Sequence, residues 1–160
     1  MKKGDFTMII IPYDVMDSKI NNAGKGVFVK ENLHKGKVIS APDNVDKIYN
    51  FDEICKFVPG SIEHESCVRW FESGYCVVKK WSDECYFNHS FTPNCVWHLG
   101  FVFAARELNA GEEITIDYSY LLAEGHDGGF TDAKTGRAVV GMSFSESIRR
   151  SAAIICEIFK

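Results

Sequence analysis

The stretch from Tyr86 to Tyr120 constrains the fold of this chain more than any other. Its first part, residues 86–95, is crowded with Asn, Ser, Thr and Pro, which are residue types that favour loops. Its last part is a turn, Asn109-Ala110-Gly111, followed by a short β-branched strand that ends at Asp117-Tyr118. A loop of fixed geometry beside the aromatic end of a strand is typical of a compact functional site.

A glycine-containing element lies further upstream, where Gly24-Lys25-Gly26 precedes an apolar segment, Val27-Phe28-Val29. Glycine at such a position lets the backbone approach a ligand closely. A lone Gly-x-Gly is a weak signal, and the longer Gly-x-Gly-x-x-Gly fingerprint of dinucleotide-binding folds is absent. The element gains meaning only in combination with the loop and the strand further along the chain.

Taken in order, these three elements resemble the signature motifs of the SET-domain protein methyltransferases. Residues 88–94 match the family's Asn-His-Ser-x-x-Pro-Asn loop. Residues 111–118 match its Gly-Glu-Glu-Ile-Thr-x-x-Tyr strand, and residues 24–26 match its Gly-x-Gly element. The resemblance covers about residues 20–120, in the order that the family uses.

The resemblance implies a fold and a reaction. The fold is a SET-type, β-rich α+β fold of small curved β-sheets, in which a C-terminal strand segment lies under a preceding loop like a knot. Short strands with few helices independently favour the α+β class. The implied reaction transfers a methyl group from S-adenosylmethionine to the side-chain amine of a lysine in a protein or peptide substrate. The alternative is a non-catalytic SET-fold module that binds a protein partner.

The resemblance also assigns roles to individual residues. Tyr118 matches the family's catalytic tyrosine. Asn88 and His89 match the loop that holds the cofactor, and Gly24, Lys25 and Gly26 match the other wall of the cofactor site. His89 as a general base and His89 as a metal ligand are the less favoured interpretations.

Four aromatic residues complete the predicted site. Trp97 and Tyr120 lie where relatives carry aromatic residues that line the lysine channel, and an indole at Trp97 would restrict the number of methyl groups added. Phe130 and Phe144 are candidates to stack on the adenine of the cofactor. For each of them, simple packing in the core is the competing interpretation.

Composition and charge exclude several other classes of protein. The chain is 46% hydrophobic and 25% charged, which is typical of a globular protein and not of a disordered one. A formal net charge of −4 makes direct nucleic-acid binding an unfavourable hypothesis and suits a basic peptide substrate. No apolar run reaches membrane-spanning length, and no secretory signal pattern is present, so we expect a cytoplasmic protein without a membrane partner.

The six cysteines do not form a recognisable metal motif, because Cys-x-x-Cys is absent. We therefore predict no metal site. Many relatives carry a cysteine-rich zinc segment after the final tyrosine motif, and its absence here means that another segment must close the site. A cysteine hydrolase is a third hypothesis, supported by residue types but by no local motif.

Local patterns predict the following elements. Strands are expected over residues 6–11, 27–30, 38–40, 75–78, 96–99, 101–104 and 114–118, while residues 67–71 suit either a helix or a strand. Capping residues predict helices after Asn50 and Ser143, and a helical turn after Ser82. The Gly-rich stretch after Tyr120 predicts a mobile loop.

These predictions together describe a single domain over residues 1–160. Its core motifs occupy residues 20–120, a variable insert spans about residues 44–80, and a closing segment spans residues 121–160. The last helix is predicted to be amphipathic, with an apolar face of Ile148, Ala152, Ile155, Cys156 and Phe159. The sequence is also compatible with a homodimer in which a second subunit completes the site beside the closing segment.

Overall fold

A computed structural model describes residues 7–42 and 47–160 of the chain. Within these residues, eleven short strands form five small sheets, and three helices accompany them. The predicted strand that starts at residue 6 and the insert that starts at residue 44 therefore lie partly outside the described residues. No helix in the described part is long and apolar enough to cross a membrane.

Two antiparallel sheets carry the upstream motif and the central hairpin. Strand β1 (Tyr13–Asp17) pairs with β2 (Lys25–Val29), and a three-stranded sheet has the order β3 (Val38–Ser40), β8 (Phe101–Ala104), β7 (Cys95–His98). The predicted strands at 27–30, 38–40, 96–99 and 101–104 are confirmed. The prediction over 6–11 is wrong, because that segment contributes only an isolated bridge from Ile9 to Ser40 in its described part.

The insert consists of two single-turn helices and a hairpin. Helix α1 (Phe51–Ile54) and helix α2 (Ile62–Glu65) precede the antiparallel pair β4 (Val68–Phe71) and β5 (Gly74–Cys76). The predicted capping box of α1 is confirmed in both directions, since the Asn50 side chain accepts from the Glu53 backbone N–H and the Glu53 carboxylate accepts from the Asn50 N–H. The ambiguous segment at residues 67–71 forms a strand.

The signature loop and the signature strand lie side by side. A 3-10 turn (Asp83–Tyr86) leads into β6 (Asn88–His89), which pairs in parallel with β9 (Thr115–Ile116). Parallel strands cannot be joined by a tight turn, and here the hairpin of β7 and β8 forms the crossover between them. A second 3-10 turn (Tyr118–Tyr120) follows β9, so the strand predicted over 114–118 is shorter than expected.

The Gly-rich segment after Tyr120 contains a hairpin, which corrects the prediction of a loop. Strand β10 (Asp127–Thr131) pairs antiparallel with β11 (Ala138–Val140), with an irregular register between its bridging residues. The glycines Gly128 and Gly129 lower the intrinsic preference for a strand, so the sequence pattern alone does not reveal it. We call residues 127–140 the closing hairpin.

Helix α3 (Phe144–Ile158) ends the fold and packs on β7. Its predicted N-cap is confirmed, since the Ser143 hydroxyl accepts from the Glu146 backbone N–H at 3.2 Å. The predicted packing face is partly wrong: the buried residues are Ser147, Ser151 and Ile158.

Two members of the predicted apolar face, Cys156 and Phe159, are exposed. The serine face fits because the Ser151 hydroxyl donates to the Ser147 carbonyl and contacts His98 Nδ1 on β7 at 2.8 Å. Hydrogen bonding therefore replaces part of the expected apolar contact between the helix and the sheet.

The hydrophobic core lies between β2 and the three-stranded sheet. Val27, Phe28 and Val29 are all essentially inaccessible, and Ile39, Val102 and Ile114 are fully buried beside them. Burial of apolar side chains is the main favourable contribution to folding. The β-rich α+β architecture predicted from the sequence is confirmed.

Candidate active site

The three sequence motifs meet at the carboxylate of Glu113. This side chain is buried, and it accepts hydrogen bonds from Ser18 Oγ at 2.6 Å, the Lys19 backbone N–H at 2.8 Å and Asn88 Nδ2 at 2.8 Å. Asn88 Nδ2 also donates to the Lys25 carbonyl at 2.8 Å. A buried carboxylate is tolerated only when it is hydrogen-bonded in this way. Glu113 therefore holds the glycine element, the loop and the strand together.

Glycine occupies the two positions of the upstream motif for different physical reasons. A Cβ at Gly26 would lie 2.3 Å from Glu113 Oε1 and 3.2 Å from Asn88 Nδ2, so a side chain cannot be accommodated without displacing Glu113. Gly24 has φ +71°, and a Cβ placed there would meet no atom within 4 Å among the described residues. Gly26 is thus required by an internal contact, whereas Gly24 leaves an open backbone surface that a ligand could approach.

Lys25 contributes to the site through its backbone. Its side chain is exposed and pairs with Asp17 at 2.8 Å, and the hydrogen bond to that carboxylate raises the pKa of Lys25. Exposed ion pairs of this kind add little to stability. The carbonyl that binds Asn88 is the part of Lys25 that orders the site.

Asn94 fastens the loop to the strand at the predicted knot. Its Nδ2 donates to the Glu113 carbonyl at 2.7 Å, and its Oδ1 accepts from the Thr115 backbone N–H at 2.8 Å. The Ser90 N–H adds a bond to the Ile116 carbonyl at 3.0 Å. One buried amide side chain thus continues the parallel pairing of β6 and β9 beyond their two-residue length.

His89 is buried between the strand end and the closing hairpin. Its Nδ1 accepts the Tyr118 backbone N–H at 3.1 Å, so the ring is neutral with its proton on Nε2. Burial lowers the pKa of His89, and the neighbouring carboxylates of Asp117 and Asp132 offset this only in part. Nε2 has no hydrogen-bond partner within the described part of the chain. His89 is therefore a structural acceptor for Tyr118 and not an exposed base.

Tyr118 has its phenol proton engaged inside the protein. The hydroxyl donates to the Phe87 carbonyl at 2.5 Å, and burial raises the pKa of Tyr118 far above its ordinary value. The phenol is therefore protonated at any physiological pH. Because its single proton is used on Phe87, the oxygen can offer only its lone pairs to a bound group.

A comparison with models of known protein families matches residues 24–119 of this chain to the SET domain. The match covers more than half of the 160 residues. The chain belongs to the SET-domain family. Most members of this family are protein-lysine methyltransferases, which generally use S-adenosylmethionine. A search among curated proteins finds no match to the chain.

In this SET domain, Tyr118 lies in the wall of a cleft of about 540 Å³. The closing hairpin contributes Phe130, whose ring meets the Tyr118 ring edge-to-face at 5.4 Å. The insert contributes further lining residues, most of them apolar: Phe51, Ile54, Phe57, Pro59, Tyr75 and Val78. Clefts of this size and character are typical ligand sites.

The predicted aromatic residues divide between two places. Trp97 lines the cleft and is nearly buried, with Trp70 edge-on to it at 6.5 Å. Tyr120 and Phe144 lie in a separate small crevice between β7 and α3, which Trp97 also borders. The structure does not bring Tyr120 and Phe144 to the cleft, and their roles in the channel and at the adenine stay predictions.

Sequence reasoning named Phe130 of the closing hairpin as a site residue, but it did not find the contribution of Asp132 and Arg137 from the same hairpin. Asp132 accepts the Phe91 N–H at 3.2 Å, and Arg137 lies over the Phe91 ring at 5.0 Å. The only signal in the sequence was the polar, Gly-rich composition of the segment, which does not reveal which residue it buries.

Three cysteines of this SET domain, Cys67, Cys76 and Cys85, are poor nucleophiles because their pKa values are raised. Burial raises the pKa of Cys67 to about 12 and that of Cys76 to about 11, and it also raises the pKa of Cys85. A catalytic thiol requires a lowered pKa, so these values oppose the cysteine-hydrolase hypothesis. Within residues 7–42 and 47–160, no group of three or more His, Cys, Asp or Glu residues could hold a metal ion.

Proposed function

We propose that this SET domain transfers methyl groups from S-adenosylmethionine to the side-chain amine of a lysine in a protein substrate. Membership of the family supports the class of reaction. The observation that carries the proposal is the Tyr118 hydroxyl, which borders an apolar cleft with its proton held on Phe87. A hydroxyl in that state is an acceptor, which is what a lysine amine needs from its surroundings.

The residues present fit the proposed cofactor. The orientation of the Asn88 amide is fixed because its two N–H groups donate to the Lys25 carbonyl and to Glu113 Oε1, each at 2.8 Å. Its oxygen, on the other side of the amide, is the atom left to accept from the ammonium group of an amino acid. The open backbone at Gly24 lies beside Lys25, whose carbonyl contacts the same amide. Asn88 and Gly24 would therefore hold the amino-acid portion of the cofactor.

The chemical difficulty of this reaction is the protonation of the lysine. A free lysine has a pKa of ~10.4, so holding it neutral at pH 7 costs roughly 4.6 kcal/mol. When bound, the cofactor supplies an electrophilic methyl group on a positively charged sulfur. The apolar walls of the cleft contribute desolvation, which disfavours the charged form of an amine placed between Phe87, Tyr118 and Phe130.

Tyr118 contributes orientation rather than proton abstraction. Its oxygen can accept an N–H of the neutral amine, which points the nitrogen lone pair away from the tyrosine. Alignment of the reacting atoms is the larger part of such catalysis. The cleft also exceeds a single lysine side chain, since five heavy atoms at about 30 Å³ each occupy ~150 Å³. The remaining volume accommodates residues that flank the lysine.

The proposal is tested with isotope-labelled S-adenosylmethionine, a cell extract as the source of substrates, and mass spectrometry of the products. We expect labelled methyl groups on particular lysines, and a loss of about tenfold to a hundredfold in rate for Tyr118→Phe. Tyr13→Phe is the matched control, because it also removes a phenol hydrogen bond, to Asp83 at 2.6 Å, outside the cleft.

Cofactor binding, measured by calorimetry, separates the two hypotheses for this fold. Tyr118→Phe should bind the cofactor as the native protein does, because the Tyr118 hydroxyl is bonded to Phe87 and not to Asn88 or Gly24, the residues proposed to hold the cofactor. A native protein that neither labels lysine nor binds S-adenosylmethionine would refute the proposal and favour the non-catalytic interaction module. Equal rates for native protein and Tyr118→Phe would remove the role given to the hydroxyl.

A further inference from the structure

The closing hairpin carries a buried carboxylate into the site. Asp132 lies at the end of β10, and its side chain is only 3% exposed. Oδ2 accepts the Phe91 backbone N–H at 3.2 Å, and Oδ1 accepts the Thr135 backbone N–H at 2.7 Å. A buried charge at the tip of a Gly-rich hairpin is costly unless it has partners. It thus fixes the hairpin to the loop that bears His89.

The same carboxylate faces the one ring nitrogen of His89 that lacks a partner. Asp132 Oδ2 lies 3.7 Å from His89 Nε2, about 0.5 Å beyond the longest ordinary hydrogen bond. The imidazole is 6% exposed, and Nε2 is buried without a hydrogen bond in the described part of the chain. A buried N–H of this kind normally has an acceptor. The carboxylate is the group placed to fill that role.

We propose that Asp132 is a positioning residue of the methyl-transfer site, acting on Tyr118 through His89. The inference rests on the proposed function of the site. With its proton held on Nε2 by the carboxylate, the imidazole keeps Nδ1 as an acceptor for the Tyr118 backbone N–H. That bond fixes the start of the 3-10 turn from which the Tyr118 ring enters the cleft.

A second carboxylate makes Asp132 necessary. Asp117 Oδ1 lies 3.8 Å from His89 Nδ1, on the opposite side of the ring from Asp132. Alone, it would favour a proton on Nδ1, and a protonated Nδ1 cannot accept from Tyr118. Asp117 is also held by the Ser119 N–H and hydroxyl, at 2.9 and 2.7 Å, so it stays in place. The balance between the two carboxylates therefore selects the tautomer.

The closing hairpin touches Tyr118 by a second route, through Phe130. Its ring meets the Tyr118 ring at 5.4 Å, while the His89 ring lies 5.4 Å from Tyr118 on another side. Docking of the hairpin by Asp132 thus sets both neighbours of the tyrosine together.

The experiment combines histidine-ring NMR with kinetics. Protein labelled with ¹⁵N-histidine reports which ring nitrogen of His89 is protonated, and a His89→Gln variant identifies the signal. The perturbation is Asp132→Asn, which removes the charge. Asp127→Asn is the control, since Asp127 lies on the same strand, is exposed and caps Gly129 N–H at 2.9 Å. Initial rates of methyl transfer are measured with labelled S-adenosylmethionine over a range of concentrations of a peptide that contains the lysine labelled in the cell extract.

We expect the native protein and Asp127→Asn to show the Nε2–H tautomer, and Asp132→Asn to shift toward Nδ1–H. The transfer rate of Asp132→Asn should fall about tenfold or more, with little change in KM for the substrate. A slow Asp132→Asn variant with an unchanged His89 ring would overturn the inference, since the residue would then serve only to hold the hairpin. A changed ring with a native rate would overturn it equally.

One further variant separates the effect of the Asp132 charge from a loss of stability. Asp132→Glu retains the charge, so it should keep the Nε2–H tautomer even where Asp132→Asn has a lowered melting temperature. A folded Asp132→Glu variant with the Nδ1–H tautomer contradicts the role of the charge. If the native protein transfers no methyl group, the proposed function fails, while the NMR comparison still decides whether Asp132 controls His89.

Discussion

Replacement of Gly26 by alanine tests how the three SET motifs are held together. The added Cβ would lie 2.3 Å from Glu113 Oε1 and 2.8 Å from Glu113 Cδ. Such distances force the carboxylate to move, and it can move only by giving up bonds to Ser18, Lys19 and Asn88. Gly26→Ala therefore acts on all three motifs at once.

The expected cost follows from these contacts. Overpacking of a tightly packed position costs about 1–3 kcal/mol, and each hydrogen bond to a charged group contributes about 1.5–3 kcal/mol. With one such bond lost, Gly26→Ala should reduce the free energy of unfolding by about 2.5–6 kcal/mol. Domains of this size are stable by about 5–15 kcal/mol, so the effect would be severe.

Urea unfolding followed by tryptophan fluorescence measures this cost. Gly24→Ala is the matched control, because Gly24 has φ +71° and open space, so alanine there costs only about 1–2 kcal/mol of backbone strain. The decisive variant is the double substitution Gly26→Ala with Glu113→Ala. If Glu113 is the obstacle, Gly26→Ala should cost less than about 1 kcal/mol in that background, giving a coupling of at least about 1.5 kcal/mol. Equal costs in both backgrounds would refute the reasoning.

One further substitution and a change of pH are expected to alter the free energy of unfolding. Asn94→Ala should reduce the free energy of unfolding by about 2–4 kcal/mol, because it leaves the Thr115 N–H and the Glu113 carbonyl without their partner. The control is Asn109→Ala at an exposed position, measured by the same urea titration. Its free energy of unfolding should stay within about 0.5 kcal/mol of the native value. Burial lowers the pKa of His89 and of His98, so the unfolded chain binds more protons in mildly acidic solution. The free energy of unfolding should be highest above about pH 6.5, and it should fall as the pH drops through the lowered pKa values of the two histidines. A urea midpoint that is constant or rises between pH 7 and pH 5 would contradict this prediction.

The sequence predicted those parts of the fold that local rules determine. The hairpin of β7 and β8 was recognisable because two apolar runs flank Gly100, which adopts φ +87° in the turn. The N-caps at Asn50 and Ser143 were recognisable because a side-chain acceptor three residues before a backbone donor is a local pattern.

The parts that were missed depend on distant partners. Strand β10 contains two adjacent glycines and forms because β11 lies beside it, which no local propensity encodes. The two-residue strands β6 and β9 are too short for any periodicity to be visible. The ordered motifs located Asn88, His89 and Tyr118 on one site, but the burial of Asp132 against His89 required the hairpin to be placed in space.

The parallel pairing of β6 with β9 has a consequence for how activity arises during folding. The local hairpins, β1 with β2 and β7 with β8, can close early because their loops are short. The pairing of β6 with β9 closes a much longer loop, and contacts of that kind form late. The groups around Tyr118 thus come together after these local hairpins have formed. A partly folded or locally opened chain therefore has hairpins but no complete candidate site, so the proposed methyl transfer would report complete folding.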